Sequence, residues 1–226
     1  MIFDQKAFVD FIFHHKIIHV LKSPIKLKSG IHSHIYINWR TIAHDVLTLD
    51  HLTDFILSFV SEHKLQPDCF FGVPEGATKL GLITSYKFAT RSQHYGPDSH
   101  FLSMGRGHPK EHGQLEDRYF IGNPSGRRVI VLEDVTTTGG SLLKSVDQLL
   151  ACGADVIAAL TLTNRHPNPE GLSQLFLNKC PFYSLSTLSD LLDGFVGIHE
   201  DPDLIQSILN QEFLCSHQEA NYGIGI

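Results

Sequence analysis

The chain has 226 residues, 42% of them hydrophobic and 19% charged, which is long enough for one full α/β domain and too apolar for a disordered tract. Its formal net charge of −6 argues against a general nucleic-acid binder, so an anionic ligand must be held by local cations against the field of the whole molecule. No apolar run approaches the roughly 20 residues needed to span a bilayer, so no membrane partner is expected.

Phe8, Phe11, Ile12 and Ile18 fall on one face of a predicted N-terminal helix, and Leu49, Leu52, Ile56, Phe59 and Val60 on one face of a second. Between them, residues 25–40 alternate apolar and polar side chains around Ser29-Gly30, the pattern of a hairpin. Helix and hairpin together predict a small hood over residues 1–45. From Cys69 onward the pattern changes to short apolar runs separated by helical segments. Residues 69–73, 129–132 and 156–162 read as buried parallel strands, and 76–88 and 141–151 as the helices that follow the first two. This alternation predicts an α/β doubly wound parallel sheet over residues 46–226, making with the hood a single domain with ligands at the carboxyl ends of its strands.

Residues 104–123 break the pattern. They show no apolar periodicity yet carry Arg106, His108, Lys110, Glu111, His112, Gly113 and Asp117. A structureless stretch of that length inside a compact domain is either functional or disordered, and its crowd of cations points to a functional, mobile lid. From Pro167 on, the sequence reads as further helices and loops without a chemical motif. Cys69, Cys152, Cys180 and Cys215 lie far apart with no CxxC pair, and no basic flank precedes an apolar run at the N-terminus. Both features predict reduced thiols in a cytoplasmic protein.

The strongest chemical signal is the run from Val129 to Ser141. An apolar strand ends in two acids, Glu133 and Asp134. Val135, Thr136, Thr137, Thr138, Gly139, Gly140 and Ser141 follow and lead into an amphipathic helix closed by Gly153. Glycines let the backbone approach an anion, the helix N-terminus supplies N–H groups and a favourable dipole, and the hydroxyls add donors. This turn is suited to a phosphate monoester. The acids would repel that phosphate unless they face something else, and sugar hydroxyls are natural partners for carboxylates. A ribose 5-phosphate satisfies both halves. A glycine-rich turn alone would serve as a helix cap in any α/β protein, and it is the acid pair ahead of it that selects this ligand. No GxxxxGK[ST] sequence is present, which speaks against a P-loop hydrolase.

On these residues the chain resembles the type I phosphoribosyltransferases, whose motif for phosphoribosyl pyrophosphate (PRPP) is such a strand, acid pair and loop. Three further segments, in the family's order, narrow the resemblance to the orotate phosphoribosyltransferases. Leu27-Lys28-Ser29-Gly30, Ser33 and Tyr36-Ile37-Asn38 are similar to the segment that contacts orotate through a lysine and nearby backbone. The run Arg106 to Gly113 is similar to the mobile catalytic loop, and Asn164-Arg165-His166 to the segment whose arginine grips the orotate carboxylate.

The resemblance implies transfer of ribose 5-phosphate from PRPP to orotate, with magnesium carried by PRPP and no protein metal site. It implies catalytic roles for Lys110, His112 and Asp134, and PRPP contacts from Arg106 and residues 133–141. Orotate would meet Lys28, Tyr36, Ile37, Thr137 and Arg165. It also implies a homodimer whose lids reach into neighbouring sites. This sequence departs from the family at Gly107 and at Glu75-Gly76, where the family commonly carries lysine after the loop arginine and tyrosine-lysine in the earlier loop. Lys79 and Arg128 are the cations that could compensate. A phosphoribosyltransferase for another base and a PRPP-sensing regulator remain as alternative readings.

Overall fold

The computed structural model describes residues 2–27, 32–166 and 168–196. Helix α1 (Gln5–His14) starts where the Asp4 carboxylate accepts the Ala7 N–H at 2.9 Å, and it buries Phe8 and Ile12. Ile18 lies beyond it. Lys16 takes a left-handed φ of 51°, which ends the helix and turns the chain into strand β1 (Ile18–Lys26). Strand β2 (His32–Ile37) pairs antiparallel with β1, from Ile18 opposite Ile37 to Lys26 opposite His32. The hairpin thus forms as expected but begins seven residues earlier, at Ile18 instead of Ile25, and its tip at 28–31 lies outside the described residues. A 3-10 turn (Trp39–Ile42) leads to α2 (Val46–Glu62), which buries the expected face.

The remaining elements are β3 (Cys69–Gly72), α3 (Thr78–Arg91), β4 (Met104–Gly105), α4 (Leu115–Tyr119), β5 (Phe120–Ile121), β6 (Arg128–Thr136), α5 (Gly140–Ala151), β7 (Asp155–Asn164), α6 (Pro169–Gln174), β8 (Phe182–Thr187) and α7 (Leu188–Val196). Strands β3, β6, β7 and β8 form a parallel sheet in that order. Alternate side chains of β6 divide the core. Ile130 and Leu132 pack with Phe8, Ile12, Trp39, Ile56 and Leu191, whereas Val129 and Val131 pack with Leu142, Val146, Leu149, Leu172 and Phe176. Helices therefore cover both faces of a parallel sheet, the expected α/β arrangement. The hood shares its apolar cluster with one of those faces.

Two expectations are corrected. Residues 104–123 are not structureless: β4 and β5 pair antiparallel, α4 precedes β5, and Phe120 is buried edge-on against Phe71 with ring centroids 5.5 Å apart. Residues 106–114 and 122–123 lack helix or strand, and 107–114 are exposed. Strand β8 lies in a segment expected to hold only helices and loops. Its inward Ser186 is satisfied by the Leu162 carbonyl at 2.8 Å, so a hydroxyl occupies a core position that hydropathy reads as surface.

Candidate active site

Strand β6 continues past Leu132 to Thr136, so the acid pair lies within the paired strand, with Glu133 opposite Thr161 and Thr136 opposite Asn164. Successive side chains leave opposite faces of a strand, and the two carboxylates diverge accordingly. Glu133 is buried and accepts the Thr136 hydroxyl at 2.6 Å. Asp134 is half-buried, accepts the Val135 N–H at 3.0 Å, and lies against Gly76. A Cβ at Gly76 would stand 2.5 Å from Asp134 Oδ2, so the loop after β3 reaches this acid only because position 76 has no side chain.

Beyond Thr136 the chain turns through half-buried Thr137 and exposed Thr138 to Gly139, whose φ of 78° is open chiefly to glycine. A Cβ there would also stand 2.7 Å from Leu172 Cδ1. Helix α5 begins at Gly140 without a side-chain cap, so its first amides open onto the loop beside exposed Ser141. Uncapped amides at a twelve-residue helix, next to hydroxyls, suit a phosphate.

The carboxyl end of β7 adjoins this loop. The Arg165 N–H donates to the Thr136 carbonyl at 2.8 Å, and the Arg165 side chain is 8% exposed. Its Nη2 donates to Ser33 Oγ of β2 at 2.8 Å, so hood and sheet meet at this guanidinium. Trp39 Nε1 donates to Thr163 Oγ1 at 3.1 Å, a second link between hood and β7. Of the other residues expected near the base, Ile37 is buried in the core, which leaves its backbone for ligand contact, and Tyr36 is exposed beside His19. Lys28 lies outside the described residues.

The lid is anchored at its base. Arg106 Nε donates to the carbonyls of Asp117 and Phe120 at 3.0 and 3.1 Å. The Lys110 N–H donates to the Arg118 carbonyl at 3.0 Å. Lys110 and His112 are exposed, and neither side chain bonds to another described residue. The lid base does reach the site. A Cβ at Gly105 would meet Pro74, and one at Gly107 would lie 3.6 Å from Glu75 Oε1, with Gly76 and Asp134 next in line.

Arg128 cannot replace the missing cations. It starts β6, about 26 Å along the strand from Thr136, and pairs with Asp68 at 2.9 Å. That bond holds the Asp68 carboxyl below the usual carboxylate range against an opposing push from burial. Lys79 lies on the correct side, in the first turn of α3, where its Nζ donates to the Ala43 carbonyl at 3.1 Å. Two features escaped the sequence reading. In the sequence Gly76 shows only as a lost cation and Ser33 carries no motif of its own, although a hydroxyl between apolar residues on the inner face of a strand signals a buried partner.

Residues 45–173 match the family described as the phosphoribosyl transferase domain. The orotate phosphoribosyltransferase of Rhodopseudomonas palustris is 30% identical over 177 residues, 76% of this chain and 89% of that protein. The orotate phosphoribosyltransferase of Aquifex aeolicus is also 30% identical over 177 residues, 76% of this chain and 90% of that protein. Among solved structures, the orotate phosphoribosyltransferase of Aeropyrum pernix shares the fold with a TM-score of 0.64 at 24% identity, over 84% of this chain and 99% of that one. Leishmania donovani UMP synthase gives 0.67 at 19% identity over 91% of this chain, which spans 42% of that protein.

Proposed function

The chain belongs to the orotate phosphoribosyltransferase family, and from that premise we propose that it transfers ribose 5-phosphate from PRPP to orotate, giving orotidine 5′-phosphate and pyrophosphate for pyrimidine synthesis. The observation that carries the reading is the junction at Thr136. There the acid pair and the phosphate-suited loop adjoin Arg165, a buried planar fork suited to a carboxylate. Residues 137–141 hold the 5-phosphate, and Glu133 and Asp134 take the ribose hydroxyls. Thr137, Arg165, Lys28 and the backbone at Tyr36 and Ile37 receive orotate.

A base nitrogen attacks the anomeric carbon as pyrophosphate leaves, so negative charge grows on the leaving group and positive charge on the ribose ring. Arg106, Lys110 and His112 neutralise the first, and Asp134 favours the second. Closure of residues 106–114 excludes water. Lys110 and His112 are exposed and bond to no other described residue, which suits a homodimer in which the lid serves the partner's site.

Among the described residues no three His, Cys, Asp or Glu side chains converge to hold a metal ion. The nearby oxygen donors are Asp134 and Glu133, and the latter is engaged by Thr136. That donor set suits magnesium arriving on PRPP better than a resident ion, and magnesium would neutralise phosphate charge there. No helix of the described residues is long and apolar enough to cross a membrane. Cys69, Cys152 and Cys180 are buried, and burial raises the Cys69 thiol to about 12 and that of Cys180 to about 11. Thiols of this kind suit a cytoplasmic protein.

Steady-state assays with PRPP, magnesium and a panel of bases test the reading. Turnover of orotate alone supports it. Preference for another base broadens the substrate assignment, and PRPP binding without turnover of any base replaces the enzyme by a sensor.

A further inference from the structure

A buried side-chain hydroxyl of the hood meets the base-facing end of the sheet. Ser33 is 1% exposed, although it lies on the same inner face of β2 as the core residues Ile35 and Ile37. Its Oγ accepts the Ile35 N–H at 2.9 Å and donates to the Ile35 carbonyl at 2.9 Å, so the strand's own backbone fixes the hydroxyl. The same oxygen accepts Arg165 Nη2 at 2.8 Å, from a residue 132 positions later. The Arg165 backbone is fixed independently by the Thr136 carbonyl. Trp39 and Thr163 tie the same two elements six positions further along the hood and two positions earlier on β7, which fixes the hood against that strand.

We infer that Ser33 is a positioning residue for base recognition, holding the Arg165 guanidinium in the plane in which it meets the carboxylate of the base. The inference rests on the proposed use of orotate. The chemistry is that of a fork: a guanidinium presents two parallel N–H groups to a carboxylate only when its plane is set, and a rotation of some tens of degrees leaves one bond poorly aligned. A hydroxyl locked to backbone on both its donor and acceptor sides fixes that plane better than a freely rotating one. Ser33 does not touch the reacting atoms. Its contribution is read through Arg165.

The experiment is a double-mutant cycle with Ser33→Ala, Arg165→Ala and the combined variant, measuring kcat, the KM for orotate and the KM for PRPP. Loss of a hydrogen bond to a charged group corresponds to roughly tenfold or more in kcat/KM. Ser33→Ala should therefore raise the KM for orotate by about that factor, leave the KM for PRPP within about twofold, and add little once Arg165 is already alanine. Ser33→Thr, which keeps the hydroxyl, should recover most of the loss. Additive effects, equal rises in both KM values, or a fall in Tm that accounts for the lost activity would overturn the positioning role and leave Ser33 as packing. An active wild type indifferent to Ser33→Ala sinks this inference alone, whereas a wild type inert towards orotate sinks the proposed function beneath it.

Discussion

A methyl group added at Gly76 would stand 2.5 Å from Asp134 Oδ2 and 2.9 Å from its Cγ and Oδ1. Ordinary contacts between non-bonded carbon atoms lie near ~3.5 Å, so the Asp134 carboxylate must retreat by about 1 Å. It is the free end of a side chain, and it can do so by leaving its rotamer well at a cost of roughly 0.5–1.5 kcal/mol. Gly76→Ala should therefore fold, with Tm lowered by only a few degrees. Turnover should suffer far more, because a misplacement of about 1 Å at a reacting centre costs on the order of 10²-fold in rate. The assay is kcat for orotate consumption with PRPP and magnesium, beside a thermal melt of the same sample. In an Asp134→Asn background the methyl group should do little further harm, since the carboxylate it displaces is already gone. A Gly76→Ala enzyme within twofold of wild-type kcat would refute the reasoning, because Asp134 would then not need its observed position.

Lys110→Ala should lower kcat by about 10²–10³-fold while weakening ground-state PRPP binding much less, because the lid completes the site only on closure; a loss carried wholly by KM would make it a docking residue. Gly139→Ala should destabilise the fold by about 1–2 kcal/mol through its left-handed φ, read as a fall of several degrees in Tm, and an unchanged melt would contradict it. Burial would raise the Asp54 carboxyl, but bonds from Lys87 and Arg91 outweigh it and hold it below the usual range. The stability it contributes is thus complete above the unfolded value of about 4 and lost as pH falls through the lower folded value. Asp54→Asn should flatten the acid limb of a Tm–pH profile, and an acid limb that superposes on the wild type's would show that the pair contributes nothing.

The residues from Val129 to Ser141 were legible in the sequence because everything they need is local: a strand, two acids, hydroxyls, glycines and a helix start lie in one run. The hood was legible as elements but not in its bounds. Ile18 fits the apolar face of α1, and only the backbone turn at Lys16 sends it into β1. Strand β8 was hidden because Ser186 and Thr187 occupy strand positions with hydroxyls whose partners lie on β7 and in the first turn of α7. The lid's cations were visible, but its anchoring was not, since Phe120 packs on Phe71 and Arg106 bonds to carbonyls, contacts with no periodic signature. The tie between Ser33 and Arg165 spans the whole domain and leaves no pattern in either segment. Gly76 shows the converse case. Its lack of a charge is obvious from sequence, while the reason, a carboxylate lying where a Cβ would be, is purely spatial.

Base choice tests the central claim most directly, because orotate differs from uracil by the one group that Arg165 is placed to receive. The measurement is kcat/KM for both bases at saturating PRPP and magnesium, in the wild type and in Arg165→Ala. A site built around a buried arginine should reject the base that leaves it unpaired by about 10⁴-fold. The account predicts a wild type that uses orotate and leaves uracil essentially inert, and a variant that loses orotate turnover together with the discrimination. Equal use of the two bases by the wild type, or discrimination that survives Arg165→Ala, would contradict it.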